Sequence, residues 1–139
     1  MSIRYDEMTV RDYADVMALW QKSEGIGLSA ADSLEAISAY LARNPGHSFV
    51  ARDEDQIVGA VLCGHDGRRG YMHHLAVQSD HRRQGIGEAL VEQCLARLKT
   101  AGIDKCHIFV YTNNQEGQNF WKKTGWAVRT NLALMSREF

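Results

Sequence analysis

The sequence predicts an α/β (α+β) fold carried by one domain, with strands and helices in the order β-α-α-β-β-β-α-β-α-β-β. Three observations lead there. Runs with strand-like patterning alternate with stretches of helical period along the whole chain, which implies one mixed unit. Between Ser48 and Val77 three strand candidates follow one another across short turns, so they are antiparallel neighbours. The 139 residues also contain no repeat, low-complexity stretch or linker, and that length is enough to bury one core.

Taken in order, Ile3 to Tyr5 forms a first strand. Thr9 then caps a helix that carries Tyr13, Val16, Met17 and Trp20 on one face. A second helix starts near Ala30, capped by Ser29, runs through Leu34, Ile37 and Leu41, and stops at Asn44-Pro45-Gly46. Ser48 to Arg52 and Ile57 to Gly64 are strands around a charged turn. Asp66-Gly67 marks the next hairpin and leads into the strand Gly70 to Val77. Residues 85 to 101 make the strongest helix, with Ile86, Leu90, Val91, Cys94, Leu95 and Leu98 at helical spacing and Gly102 as its stop. Cys106 to Tyr111 is a strand and Asn114 to Lys123 a short helix. Trp126 to Arg129 and Leu132 to Ser136 are the last two strands.

The stretch Arg82-Arg83-Gln84-Gly85-Ile86-Gly87, between the apolar Leu75-Ala76-Val77 and the strongest helix, reads as a pyrophosphate cradle. Glycines let the backbone turn tightly and let a ligand approach the peptide N–H groups. Those groups open a helix, so they are unpaired and lie at the positive end of its dipole, where an anion is stabilised. Arg82 and Arg83 add forked donors suited to phosphate oxygens. A Walker loop is excluded, because Glu88-Ala89 stands where Lys and Ser or Thr are needed. A dinucleotide fingerprint fails at Leu90 and at the long loop from Gln78 to Gln84.

Strand, polar loop, Arg-x-x-Gly-x-Gly, helix resembles the coenzyme A motif of the GNAT N-acetyltransferase superfamily, in a small single-domain bacterial-type version. Asn114, Trp121 and the pair Gly125-Trp126 are similar to that family's second signature, and the likeness runs roughly from Ile57 to Trp126. The resemblance implies a mixed, mostly antiparallel sheet of six to seven strands flanked by four helices, with the fourth and fifth strands splayed apart. It implies acetyl-CoA as co-substrate and no metal. The pantetheine arm would pair with backbone at Leu75, Ala76 and Val77, and the Leu75 N–H would face the thioester oxygen. The pyrophosphate would lie on Arg82, Arg83, Gln84, Gly85, Ile86, Gly87 and Glu88. Asn114 would contact the pantetheine arm and also reads as a helix N-cap, two compatible roles. Trp121 stands where the family often has Tyr, and an indole N–H cannot serve as an acid; it could still wall the thioester pocket.

Transfer to an amine needs the neutral amine, hence a base near neutral pH, and His is suited to it. Strand alternation sends His73 and His74 to opposite faces, so only one can face the slot. Arylalkylamine acetyltransferases of the superfamily carry a catalytic His two places before the equivalent of Leu75, which makes His73 the candidate base; the other reading is a half-exposed strand histidine without a role. The fifth-strand carboxylate of other members is replaced by Phe109. Glu24, the one carboxylate between Lys22 and Ser29, could attract a substrate ammonium or be a solvated loop residue.

The function implied is acetyl transfer from acetyl-CoA to a primary amine of a small molecule, protein or peptide. The alternative is a catalytically weak acyl-CoA-binding sensor or regulatory module. A net charge of −1, mixed along the chain, argues against nucleic acid and membrane surfaces as partners. No signal peptide or long apolar run is present, which points to the cytoplasm. Cys63, Cys94 and Cys106 read as reduced thiols, two of them core, and no metal-ligand spacing accompanies them. Trp126 to Met135 offers an apolar edge through which two copies could form a homodimer.

Overall fold

The computed structural model describes residues 2–139. They divide into two units, residues 2–109 and Val110–Phe139. The first holds a five-stranded sheet in the order β1 (Ile3–Glu7), β2 (Phe49–Asp53), β3 (Gln56–His65), β4 (Gly70–Val77) and β5 (Cys106–Ile108). Pairings from β1 to β4 are antiparallel and β4 with β5 is parallel, so the sheet is mixed and mostly antiparallel as expected.

Helix α1 (Tyr13–Gln21) follows a single 3-10 turn at Val10–Asp12, in which the Asp12 carboxylate accepts the Thr9 N–H at 2.9 Å. That carboxylate also accepts Arg52 Nη2 at 2.8 Å, which ties the turn to β2. The second helix begins later than its first cap. Ser29 caps only a 3-10 turn at Ala30–Asp32, and Ser33 then caps α2 (Leu34–Arg43) by accepting the Ala36 N–H at 3.1 Å. Two serine caps four residues apart allow two short helical pieces where spacing alone suggested one. Helix α3 (Ile86–Thr100) matches the apolar stripe, and Gly102 ends it with φ +85°.

Strand alternation sorts the core into two halves. Ala60 and Leu62 face α1 and α2, packing with Val16, Leu19, Trp20 and Ile37. Gly59 faces the other way, where a Cβ would stand 3.0 Å from Leu90 Cδ1 and 3.2 Å from Ile86 Cγ2; its missing side chain lets the first turns of α3 sit close on the sheet. Cys63 and Cys94 are buried and Cys106 half-buried, all three as free thiols.

In Val110–Phe139, α4 (Gln115–Lys123) is capped by Asn114, whose Oδ1 accepts the Gly117 N–H at 2.9 Å. Gly125 turns the chain out of it with φ +103°. The strands expected at Trp126 to Arg129 and Leu132 to Ser136 do not form, and β5 stops at Ile108 instead of Tyr111, so the described residues carry five strands rather than six or seven. Leu132 and Leu134 are exposed: alternation suits a strand, but without a partner backbone no ladder forms.

Candidate functional site

The site starts from a change of register in β4. Ala76 stands opposite Ala60 and His73 opposite Leu62, so three steps on β4 match two on β3 and one residue is extra. The result is a β-bulge at His74-Leu75, with His74 at φ +57°. On its other edge β4 pairs with β5 only at Gly70, Tyr71 and Met72. From His73 to Val77 that edge has no strand beside it among the described residues, because β5 ends at Ile108. An unpaired strand edge presents backbone N–H and C=O groups to an extended ligand.

The bulge corrects the expectation that His73 and His74 lie on opposite faces. A left-handed residue breaks strict alternation, and both rings lie on the α1–α2 side with centroids 6.4 Å apart. His73 stacks on Phe109 at 6.2 Å and meets Tyr40 edge-on at 6.3 Å. Phe109 also stacks on Tyr71 at 6.3 Å, so the residue replacing a carboxylate forms an aromatic wall beside His73. Desolvation by burial, then the neighbouring His74, hold the His73 pKa below the ordinary 6.5, with Asp32 opposing weakly. His73 is therefore neutral and able to accept a proton at neutral pH. A hollow of about 220 Å³ opens against it, lined by Tyr40, Arg43, Asn44, His65 and Tyr71 among others.

His74 is not a bystander. Its Nε2 lies 2.9 Å from Asp32 Oδ1, and its ring meets Trp20 edge-on at 5.0 Å. The sequence reading placed the loop carboxylate at Glu24, which is exposed and makes no ion pair among the described residues. The carboxylate that reaches β4 from the α1–α2 connection is Asp32. Nothing in its spacing from His74 signals the pair, because 42 residues separate them.

Beyond Val77 the chain makes a 3-10 turn at Ser79–His81 and enters the cradle. Gly85 is the α3 N-cap at φ +79°, and no atom lies within 4 Å of where its Cβ would be, so the helix N-terminus is open to a ligand. Arg83 also takes a left-handed φ, +64°, a conformation that costs a side chain energy and that clusters at ligand-binding loops. Arg82 Nε donates to the Val77 carbonyl at 3.2 Å, which turns its guanidinium back along β4. His81 bridges Asp53 at 2.9 Å and Asp80 at 2.6 Å, a clamp from the loop to β2 that the motif gave no sign of. Asn114 and Trp121 belong to the second unit. There Asn114 is occupied as the α4 cap, and Trp121 meets Trp126 edge-on at 5.0 Å.

Among the described residues no three His, Cys, Asp or Glu side chains gather as a metal site, and no helix is long and apolar enough to cross a membrane. Residues 13–126 match the acetyltransferase (GNAT) family. An acetyltransferase of Pectobacterium atrosepticum is 30% identical over 126 residues, spanning 91% of this chain and 89% of that protein. Among solved structures, Ard1 of Thermoplasma volcanium superposes with a TM-score of 0.82 at 21% identity, covering 93% of this chain and 85% of that one. The PaiA N-acetyltransferase of Thermoplasma acidophilum, solved in complex with coenzyme A, superposes at 0.81 with 18% identity, covering 93% and 92%.

Proposed function

Because the chain belongs to the acetyltransferase (GNAT) family, we propose that it transfers an acetyl group from acetyl-CoA to a primary amine by direct attack in a ternary complex, the whole chain acting as one catalytic domain. The observation that carries this reading is the free edge of β4 from His73 to Val77, followed through a 3-10 turn and the Arg82–Gln84 loop by an open helix N-terminus. An extended amide chain ending in a pyrophosphate fits that pair of features: its amides pair with the strand edge, and its phosphates take the N–H groups at Gly85, Ile86 and Gly87.

At the other end of the edge, Leu75 N–H serves as the donor toward the thioester oxygen. His73 takes the proton from the attacking amine, since its environment favours the neutral imidazole. Holding amine and thioester together supplies roughly 7–11 kcal/mol of the barrier, against the ~10²–10⁴-fold of one acid or base. Loss of a tyrosine acid at Trp121 therefore slows the reaction without abolishing it. Asn114 and Trp121 are assigned to the pantetheine arm, and Glu24 to attraction of the acceptor's ammonium group; Glu24→Gln should raise the acceptor KM, and unchanged KM for every acceptor would remove it from the site.

The test is release of the CoA thiol in the presence of amines of different classes: a polyamine, an aminoglycoside and an alanine-terminated peptide. Turnover with any of them supports an enzyme. Tight acetyl-CoA binding with no turnover would favour a sensor module.

A further inference from the structure

The connection between α1 and α2 touches β4 through one buried polar pair. Asp32 Oδ1 and His74 Nε2 are 2.9 Å apart, and their side chains are 8% and 18% exposed. Each partner is held from other directions. The second Asp32 oxygen accepts the Ser29 N–H at 3.1 Å, and the Asp32 carbonyl accepts the Tyr13 hydroxyl at 2.7 Å. The buried Trp20 indole stands edge-on to the His74 ring. The histidine so gripped is the left-handed residue of the bulge, and the register leaves both it and Leu75 without a partner on β3. No ladder partner on β3 holds these two residues, and a side-chain bond from the helix layer reaches the first of them, His74.

Resting on the function proposed above, we propose that Asp32 and His74 are a positioning pair for acetyl transfer, locking the β4 bulge so that the Leu75 N–H and the His73 ring keep the geometry the reaction needs. Asp32 suits this because a carboxylate accepts from two donors at once, the Ser29 N–H and the His74 Nε2–H. An asparagine has one acceptor oxygen and would set its amide hydrogens against one of those donors. His74 suits it because its ring spans from the strand to the helix layer and donates at its far end. A residue misplaced by about 1 Å can cost ~10²-fold in rate, so a lock on two backbone positions has a large effect without touching substrate.

The experiment uses the full chain with His74→Ala, His74→Gln and Asp32→Asn, after melting curves confirm folding. Three quantities are read: acetyl-CoA affinity, the carbonyl stretch of bound isotope-labelled acetyl-CoA, and CoA release with and without the three amines named above. Positioning predicts that His74→Ala and Asp32→Asn keep acetyl-CoA affinity, lose about 10²-fold in kcat and shift the carbonyl stretch toward its free-solution value. His74→Gln, whose amide nitrogen reaches as far as Nε2 and donates to Asp32, should recover most of both. Wild-type kcat and stretch in His74→Ala and Asp32→Asn would overturn the proposal. A loss in His74→Gln equal to that in His74→Ala would also overturn it, because the residue would then act by proton transfer. Should His74→Ala not fold, Asp32→Asn against His74→Gln decides the same comparison. Failure of the wild-type chain to bind acetyl-CoA would instead overturn the underlying function, and is separable because it precedes every variant.

Discussion

The two glycines of the cradle should respond to the same substitution with opposite signs in the free protein and the same sign toward ligand. Gly85 has φ +79°, and nothing lies within 4 Å of its absent Cβ, so alanine there meets no steric wall and its cost is the left-handed backbone. That cost is about 1–2 kcal/mol, partly offset by about 0.4–1 kcal/mol from a stiffer unfolded chain. The net loss of about 1 kcal/mol lowers the melting temperature by about 4 °C in a domain of this size. Gly87 lies in the first turn of α3 at an ordinary helical angle, where alanine gains up to ~1 kcal/mol and raises melting by a similar amount. In the proposed cradle both added methyl groups would crowd the N–H groups offered to the phosphates. Acetyl-CoA at 100 times its Kd stabilises the wild type by about 2.7 kcal/mol, and a tenfold loss of affinity removes about 1.3 kcal/mol of that. Melting curves with and without acetyl-CoA therefore predict Gly85→Ala below and Gly87→Ala above wild type when free, with reduced ligand shifts in both. A full wild-type ligand shift in Gly87→Ala would refute the cradle geometry, and unchanged free melting in Gly85→Ala would refute the left-handed cap.

Three further outcomes follow from the same site. Arg83→Gly should raise the melting temperature of the free protein by relieving the +64° φ, while weakening acetyl-CoA binding and flattening its salt dependence through the lost cation; a free protein no more stable than wild type contradicts the strain. Hydrogen bonds to Asp53 and then Asp80 raise the His81 pKa above 6.5, so its clamp is fully present below pH 6.5 and lost as pH rises through the raised value. The difference in melting temperature between wild type and His81→Gln should accordingly be largest in acid and shrink as pH rises; a difference independent of pH excludes the charged clamp. His73, with its pKa held below 6.5, should give kcat an acidic limb below that value, and His73→Ala should remove the limb; an unchanged pH–rate profile takes His73 out of the mechanism.

The parts of this chain that were legible in advance are those whose signal is local. The α3 stripe, the β3–β4 hairpin at Asp66-Gly67 and the Gly85 turn each declare themselves within a few residues, and each stands where the sequence placed it. The α4 cap at Asn114 is of the same kind. The misreadings share a different cause. The bulge at His74 is set by how β3 and β4 register, which no window on β4 reveals, and it moved both histidines to one face. Asp32 carries no local signal either: it lies in a serine-capped turn just beyond the stretch that holds Glu24, and it meets β4 only in the fold. Asp53 and His81 are likewise joined only through folding. At the C-terminal end, alternation at Leu132 and Leu134 overstated the strand content, since alternation describes a face and not a partner.

In the proposed function the free edge of β4 and the Gly85 helix terminus form one binding surface for acetyl-CoA. Calorimetric titration of the full chain with acetyl-CoA, repeated with ATP and with NAD present in excess, tests it most directly. The expected result is saturable binding of acetyl-CoA that neither competitor abolishes, because an extended pantetheine arm would add contacts along β4 that a nucleotide lacks. No heat with acetyl-CoA, or complete displacement by NAD or ATP, would contradict it and leave the Arg-x-x-Gly-x-Gly loop as a structural turn or as another kind of phosphate site.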